Sequence, residues 1–202
     1  MKCLLLLAPA VGCLAACQST PSPPAGTSAA APAKTAATVV TVKPEHIEWK
    51  MLTINGKPHE ELTTKALRSQ LGRPDSIAKG AVECGSMLAS LNKLDGATGD
   101  FWYYGKTAYE VGGTQAILAS FDVTTGKFQG KLGQLRLNQQ TTLDEVRRFF
   151  PEAARQAEVP AAGRPGEVMS LPFYHEGAPE DASLNLLFEK GRLQAVEFFS
   201  PC

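Results

Sequence analysis

The stretch Phe101–Val123, FWYYGKTAYEVGGTQAILASFDV, decides the fold class. Phe101 to Tyr104 and Thr107 to Val111 read as strands around a Gly105-Lys106 turn, and Gly112-Gly113 turns the chain again. Ile117, Ala119, Phe121 and Val123 then fall at every second position, the period of a half-buried strand. Strands joined by tight glycine turns predict an antiparallel meander.

Towards the C-terminus the same grammar continues. Thr124-Thr125-Gly126 is a turn, and Phe128 to Leu137 is a strand interrupted by Gly130 and Gly133. Val168 to Tyr174, Leu184 to Phe188 and Leu193 to Phe199 read as three more antiparallel strands. Between them lies a helix signal: Thr142 can cap, Glu145 can reach back, and Leu143, Val146, Phe149 and Phe150 form an apolar face ended by Pro151. Residues 152–166 read as helix end and loop.

Towards the N-terminus, Ile47 to Ile54 reads as a strand before an Asn55-Gly56 turn. LTTKALRSQLGRP follows, with Thr63 as cap, Leu67 and Leu71 on one helical face, Gly72 at the C-terminal cap and Pro74 forbidding continuation. Residues 75–99 stay open between loop and a short helix at Ser86–Leu91. An offset of 79 lays Thr63 on Thr142, Leu67 on Val146 and Leu71 on Phe150, so 47–137 and 138–202 read as two helix-plus-meander halves. The expected class is α+β, with short helices on one face of an antiparallel sheet.

Residues 43–202 suffice for a single domain. Ahead of them, residues 17–42 are rich in Pro, Ala, Ser and Thr, with Lys34 the one charged residue, so they cannot bury enough apolar surface to offset their ordering entropy. They read as a disordered tether, roughly 28 Å long as a coil and about 75 Å drawn out. Residues 1–16 have a basic start at Lys2, an apolar run and two alanines before Cys17, the layout of a secretory signal too short to span a bilayer. Net charge is zero, and no run of Lys and Arg gives a nucleic-acid partner electrostatic support.

Leu14-Ala15-Ala16-Cys17 resembles the lipobox of bacterial lipoproteins. The resemblance implies cleavage before Cys17, its lipidation, and a membrane anchor. Gln18, in place of the aspartate that retains such proteins at the inner membrane, implies the periplasmic face of the outer membrane. Cys3 and Cys13 leave with the signal, so Cys84 and Cys202 remain as an even pair in an oxidising compartment. A disulfide between them is expected, two unpaired thiols being the alternative.

A helix ending Leu71-Gly72-Arg73-Pro74 before antiparallel strands, in tandem behind a tether, resembles the β-lactamase-inhibitor-protein-like fold. That fold also occurs in the small lipoprotein subunit of the outer-membrane barrel-assembly machinery. Ile54-Asn55-Gly56-Lys57, with Phe128-x-Gly130 later, is similar to bacterial domains of toxin-immunity type. These motifs are turn residues, and no functional residue transfers from them.

Catalytic motifs are missing from the sequence. His46, His59 and His175 form no metal-ligand spacing, and there is no C-x-x-C, nucleophile elbow or phosphate loop. Cys84 ahead of Gly85-Ser86 is better read as a disulfide partner than as a nucleophile, and Glu60-Glu61 and Glu180-Asp181 as solvated surface. No enzyme activity, metal, cofactor or small-molecule substrate is expected. Phe101, Trp102, Tyr103 and Tyr104 form the candidate binding patch: alternation sends Phe101 and Tyr103 to one face and Trp102 and Tyr104 to the other. One pair belongs to the core, and the other either anchors a partner on the open sheet face or is covered in turn. Arg147, Arg148 and Arg155 read as the solvated face of the second helix, or as a groove for an acidic partner. The favoured function is a lipid-anchored periplasmic protein-binding module of immunity or inhibitor type. The alternative is a structural accessory subunit of an outer-membrane assembly complex.

Overall fold

Two of the glycine turns seen in the sequence mark the joints of the main meander. In the computed structural model, which describes residues 45–82, 85–92, 98–157 and 165–201, β5 (Gly99–Tyr104), β6 (Thr107–Gly112) and β7 (Gln115–Asp122) run antiparallel, and β4 (Ser76–Val82) adds an edge. The second meander is β10 (Glu167–His175), β11 (Ala178–Glu189) and β12 (Arg192–Phe199). The two join where β12 pairs with β7, giving the order β10-β11-β12-β7-β6-β5-β4. The short strand β3 (Leu62–Thr63) pairs with the start of β7.

A second, four-stranded sheet packs against the core side of the first. Its order is β2-β1-β8-β9, from β1 (Leu52–Ile54), β2 (Lys57–Pro58), β8 (Gly130–Leu132) and β9 (Leu135–Leu137). Leu52, Leu132, Leu135 and Leu137 are buried, and Phe121 meets Phe128 at 6.5 Å between ring centres. The expected strand over 47–54 is divided: Ile47 makes one parallel bridge to Phe173, Trp49–Met51 is a 3-10 turn, and only 52–54 is a strand. Gly133, at a φ of 58°, likewise turns the expected 128–137 strand into a hairpin that begins at Gly130.

The first helix, α1 (Thr64–Leu71), starts where the Thr63 hydroxyl accepts the Ala66 N–H at 3.1 Å and ends at Gly72, whose φ of 85° only glycine adopts readily. A single turn and more, α2 (Ala89–Asn92), lies in the region left open by the sequence. Thr142 caps α3 (Leu143–Phe149) by accepting the Glu145 N–H. Pro151 does not end the helical path but starts α4 (Pro151–Arg155) after a break at Phe150.

Three expectations are corrected. Leu71 is 37% exposed, because α1 has only two turns and its last residue clears the sheet, leaving Leu67 to fill the core. Phe149 is 44% exposed: the buried stripe is Leu143, Val146 and Phe150, and Phe149 lies about a quarter-turn off it. The alternation in β7 is broken by an irregularity opposite Ala108 and Tyr109, so Ala116, Leu118 and Phe121 share the main core, while Ile117 and Ala119 are buried outside that cluster.

Candidate functional site

Of the four aromatics, Trp102 is buried in the core beneath α1, with the Arg68 guanidinium 4.6 Å from its ring centre. Tyr104 packs on that core, edge-on to Tyr109 at 5.9 Å, and donates its hydroxyl to the Gly72 carbonyl. Phe101 and Tyr103 therefore stand on the outer face, partly buried, with ring centres 6.2 Å apart.

Following the register outward from Tyr103 reveals what no single strand shows. Ser76, Tyr103, Ala108, Ser120, Glu197, Asn185 and Ser170 are successive cross-strand neighbours, one from each of seven strands. Their flanking residues Trp102, Phe121, Val196, Leu184, Leu186 and Leu171 are buried in the core, so the row lies on the outer face. It is built of small and polar side chains, and Ser170 donates to the Asn185 side-chain oxygen at 2.7 Å. Beside it, Phe199 is 51% exposed on the same face.

One part of this face is covered. Glu110 accepts the Ser86 hydroxyl at 2.6 Å and the Met87 N–H at 3.0 Å, holding the 85–92 segment over the sheet. Gly99 and Gly112 make room for Leu91. Burial raises the Glu110 pKa, an effect the bonds from Ser86 and Met87 oppose.

On the core side, where β3 leaves β7 and β12 takes over, four rings form a stack. Trp49 lies on Phe173 at 3.7 Å and 5°, and His59 sits between Trp49 and Phe198 at 5.5 Å and 3.9 Å. His59 donates Nε2–H to the Leu118 carbonyl at 2.7 Å, while Trp49 Nε1 donates to Glu180. Burial lowers the His59 pKa below 6.5. The fold thus holds the neutral ring, and this contribution is full above pH 6.5 and declines as pH falls toward the depressed folded value. Between pH 7.5 and 5 the urea midpoint of the wild type is expected to fall further than that of His59→Gln, whose side chain cannot be protonated. Equal losses would place the pH dependence elsewhere.

Cys17, Cys84 and Cys202 lie outside the described residues. The described neighbours of the last two do meet: a Cβ on Gly85 would fall 2.2 Å from the Ser200 carbonyl oxygen and 3.0 Å from the carbonyl carbon of Pro201. Among the described residues no cluster of three His, Cys, Asp or Glu side chains could hold a metal, and no helix is long and apolar enough to cross a membrane. His46 lies against Tyr174 with the rings tilted by 35°, and His175 adjoins Glu176; neither is among the four stacked rings. Arg147 bonds Asp144, and Arg155 pairs with Glu152, so both are engaged on their own helices. Searches against family models, curated proteins and solved structures find no match to the chain.

The outer row was missed in the sequence because it has one residue per strand. Only the pairing register, set by turns and bulges, brings those residues into line.

Proposed function

We propose that this chain is a lipid-anchored periplasmic protein-binding module of immunity or inhibitor type, working through the outer face of its large sheet. The observation that carries the reading is the seven-strand row from Ser76 to Ser170, which includes Tyr103 and is flanked by Phe101 and Phe199. Helices α1, α3 and α4 and the second sheet cover the opposite face, whereas α2 lies over one part of the outer face. Small polar side chains let a partner's backbone approach closely, and the aromatic rings beside them are of the type that anchors interfaces. Two helix-then-meander halves, sharing the β7–β12 seam, support the β-lactamase-inhibitor-protein-like reading of the fold. The anchor at Cys17 and the Cys84–Cys202 disulfide belong to the same proposal.

The test is crosslinking of intact envelopes followed by recovery of the chain. A specific crosslinked species is expected with the wild type and with Lys190→Glu, a change in the remote β11–β12 turn. Tyr103→Ala and Ser120→Arg should lose it while keeping the wild-type thermal midpoint, with Tyr103→Ala costing about 2 kcal/mol of capture. Cys17→Ser should leave the membrane fraction. A species that survives both outer-face changes overturns the assignment of this face. If the surviving species contains outer-membrane barrels, the accessory-subunit reading replaces it.

A further inference from the structure

The four-stranded sheet turns a one-signed surface outward. The chain has no net charge, yet residues 49–59 and 123–143, which build most of this sheet and its turns, contain five cations and no carboxylate. Lys50 is paired with Glu48. The other four, Lys57, Lys127, Lys131 and Arg136, are exposed, and among the described residues none makes an ion pair. Lys131 and Arg136 are direct cross-strand neighbours, and the residue paired with Lys131 on its other side is Thr53. Like charges placed side by side repel, and no ion pair among the described residues relieves this pair.

The surface is also grooved. A cleft of about 420 Å³ runs along Thr53, Asn55, Gln129, Lys131 and Arg136. On the far side of Asn55 a second cleft, of about 670 Å³, is lined by Arg73, Lys106 and Lys127 over Leu71, Tyr104 and Phe128. Asn55 borders both and is fixed there: its side chain donates to the Lys127 carbonyl and accepts the Gln129 N–H. Two carboxylates, Asp75 and Asp122, line the second cleft. Each accepts a backbone N–H, from Gly105 at 2.6 Å and from Thr124 at 2.7 Å. Arg73 and Lys106 are also without an ion pair among the described residues. The cations thus form a track from Arg136 across Asn55 to Arg73.

We infer that this track binds an extended acidic segment of a partner protein. Charge complementarity selects an anionic occupant, and two clefts meeting at a fixed asparagine select a chain that can enter both. A lipid plane would touch only protruding groups. The chain's own N-terminal portion does not suit the track, since residues 1–44 contain three lysines and no acid. The track is separate from the outer-face row, so the two proposals stand or fall independently.

The test uses the full detergent-solubilised chain and a fluorescein-labelled peptide of alternating glutamate and serine. Fluorescence anisotropy should show binding at about 50 mM salt that weakens strongly by about 300 mM, as screening shortens the reach of exposed charges. Lys131→Glu and Arg73→Glu, one from each cleft, should each weaken binding several-fold, and together by about tenfold or more. Lys190→Glu and the outer-face change Tyr103→Ala should leave it unchanged. The inference is overturned by absence of binding at low salt, by insensitivity to the two cleft changes, or by an equal loss with Lys190→Glu. Tighter binding to phosphatidylglycerol vesicles or to an oligonucleotide, with the same dependence on Lys131 and Arg73, overturns it in favour of a phosphate-bearing surface.

Discussion

Phe121→Ala is expected to lower the unfolding free energy by about 3–5 kcal/mol. Phe121 has no exposed surface and projects from the central strand β7 toward the second sheet. There it lies against Phe128, and its ring tip would be 3.1 Å from a Cβ on Gly130, so the absence of a side chain at 130 admits the ring. Truncation would leave a void between two sheets that hydrogen bonding holds in place, so collapse cannot fill it. Leu71→Ala and Phe149→Ala, both substantially exposed, should cost under about 1 kcal/mol. Urea denaturation of the three variants checks the ranking. A loss at Phe121 no larger than at Phe149 would mean that the two sheets do not share this core.

Gly85→Ala is expected to cost about 3 kcal/mol, against about 1 kcal/mol for Gly113→Ala. Both glycines have positive φ, 65° and 59°, so both substitutions carry the same backbone strain. They differ in what a methyl would meet. At Gly113 nothing lies within 4 Å, whereas at Gly85 the Ser200 carbonyl oxygen is 2.2 Å away. That carbonyl belongs to backbone just past the end of β12, which cannot move without disturbing the strand. The same close approach brings the chain next to Cys84 up against the chain next to Cys202, which supports the proposed disulfide. Non-reducing peptide mapping of the mature protein should recover Cys84 and Cys202 in one crosslinked pair, and free thiols at both positions would refute the pairing. In the chain-entropy view a bridge across so long a loop contributes at most about 5 kcal/mol.

The strands and caps were legible in the sequence because their signals are local. Thr63, Gly72 and Thr142 act on residues three or four away, and the turn glycines act on their own dihedrals. Phe101 to Tyr104 separated onto two faces as alternation requires, which needs nothing beyond the strand itself. What stayed hidden depends on distant partners. Nothing within residues 47–54 shows that Ile47 bridges Phe173 while Trp49 turns away to stack on it. The slip that puts Leu118 in the core arises between two strands. The basic track joins Arg73, Lys106 and Lys131, whose spacing along the chain gives no run of charge to notice.

The seam between the meanders governs the order in which the molecule can assemble. Hairpins such as β5–β6 and β11–β12 close across turns of two residues, whereas the seam pairs Asp122 with Ala195, 73 positions apart. Closing that long loop is entropically costlier, and only three register pairs are formed in return. Each meander can therefore take shape on its own side chains first, and the seam forms last, when Phe121 and Val196 come together. The outer-face row is completed only at that step, because Ser120 and Glu197 face each other across the seam itself. A chain that has folded its halves but not joined them carries the two parts of the proposed surface out of register with each other.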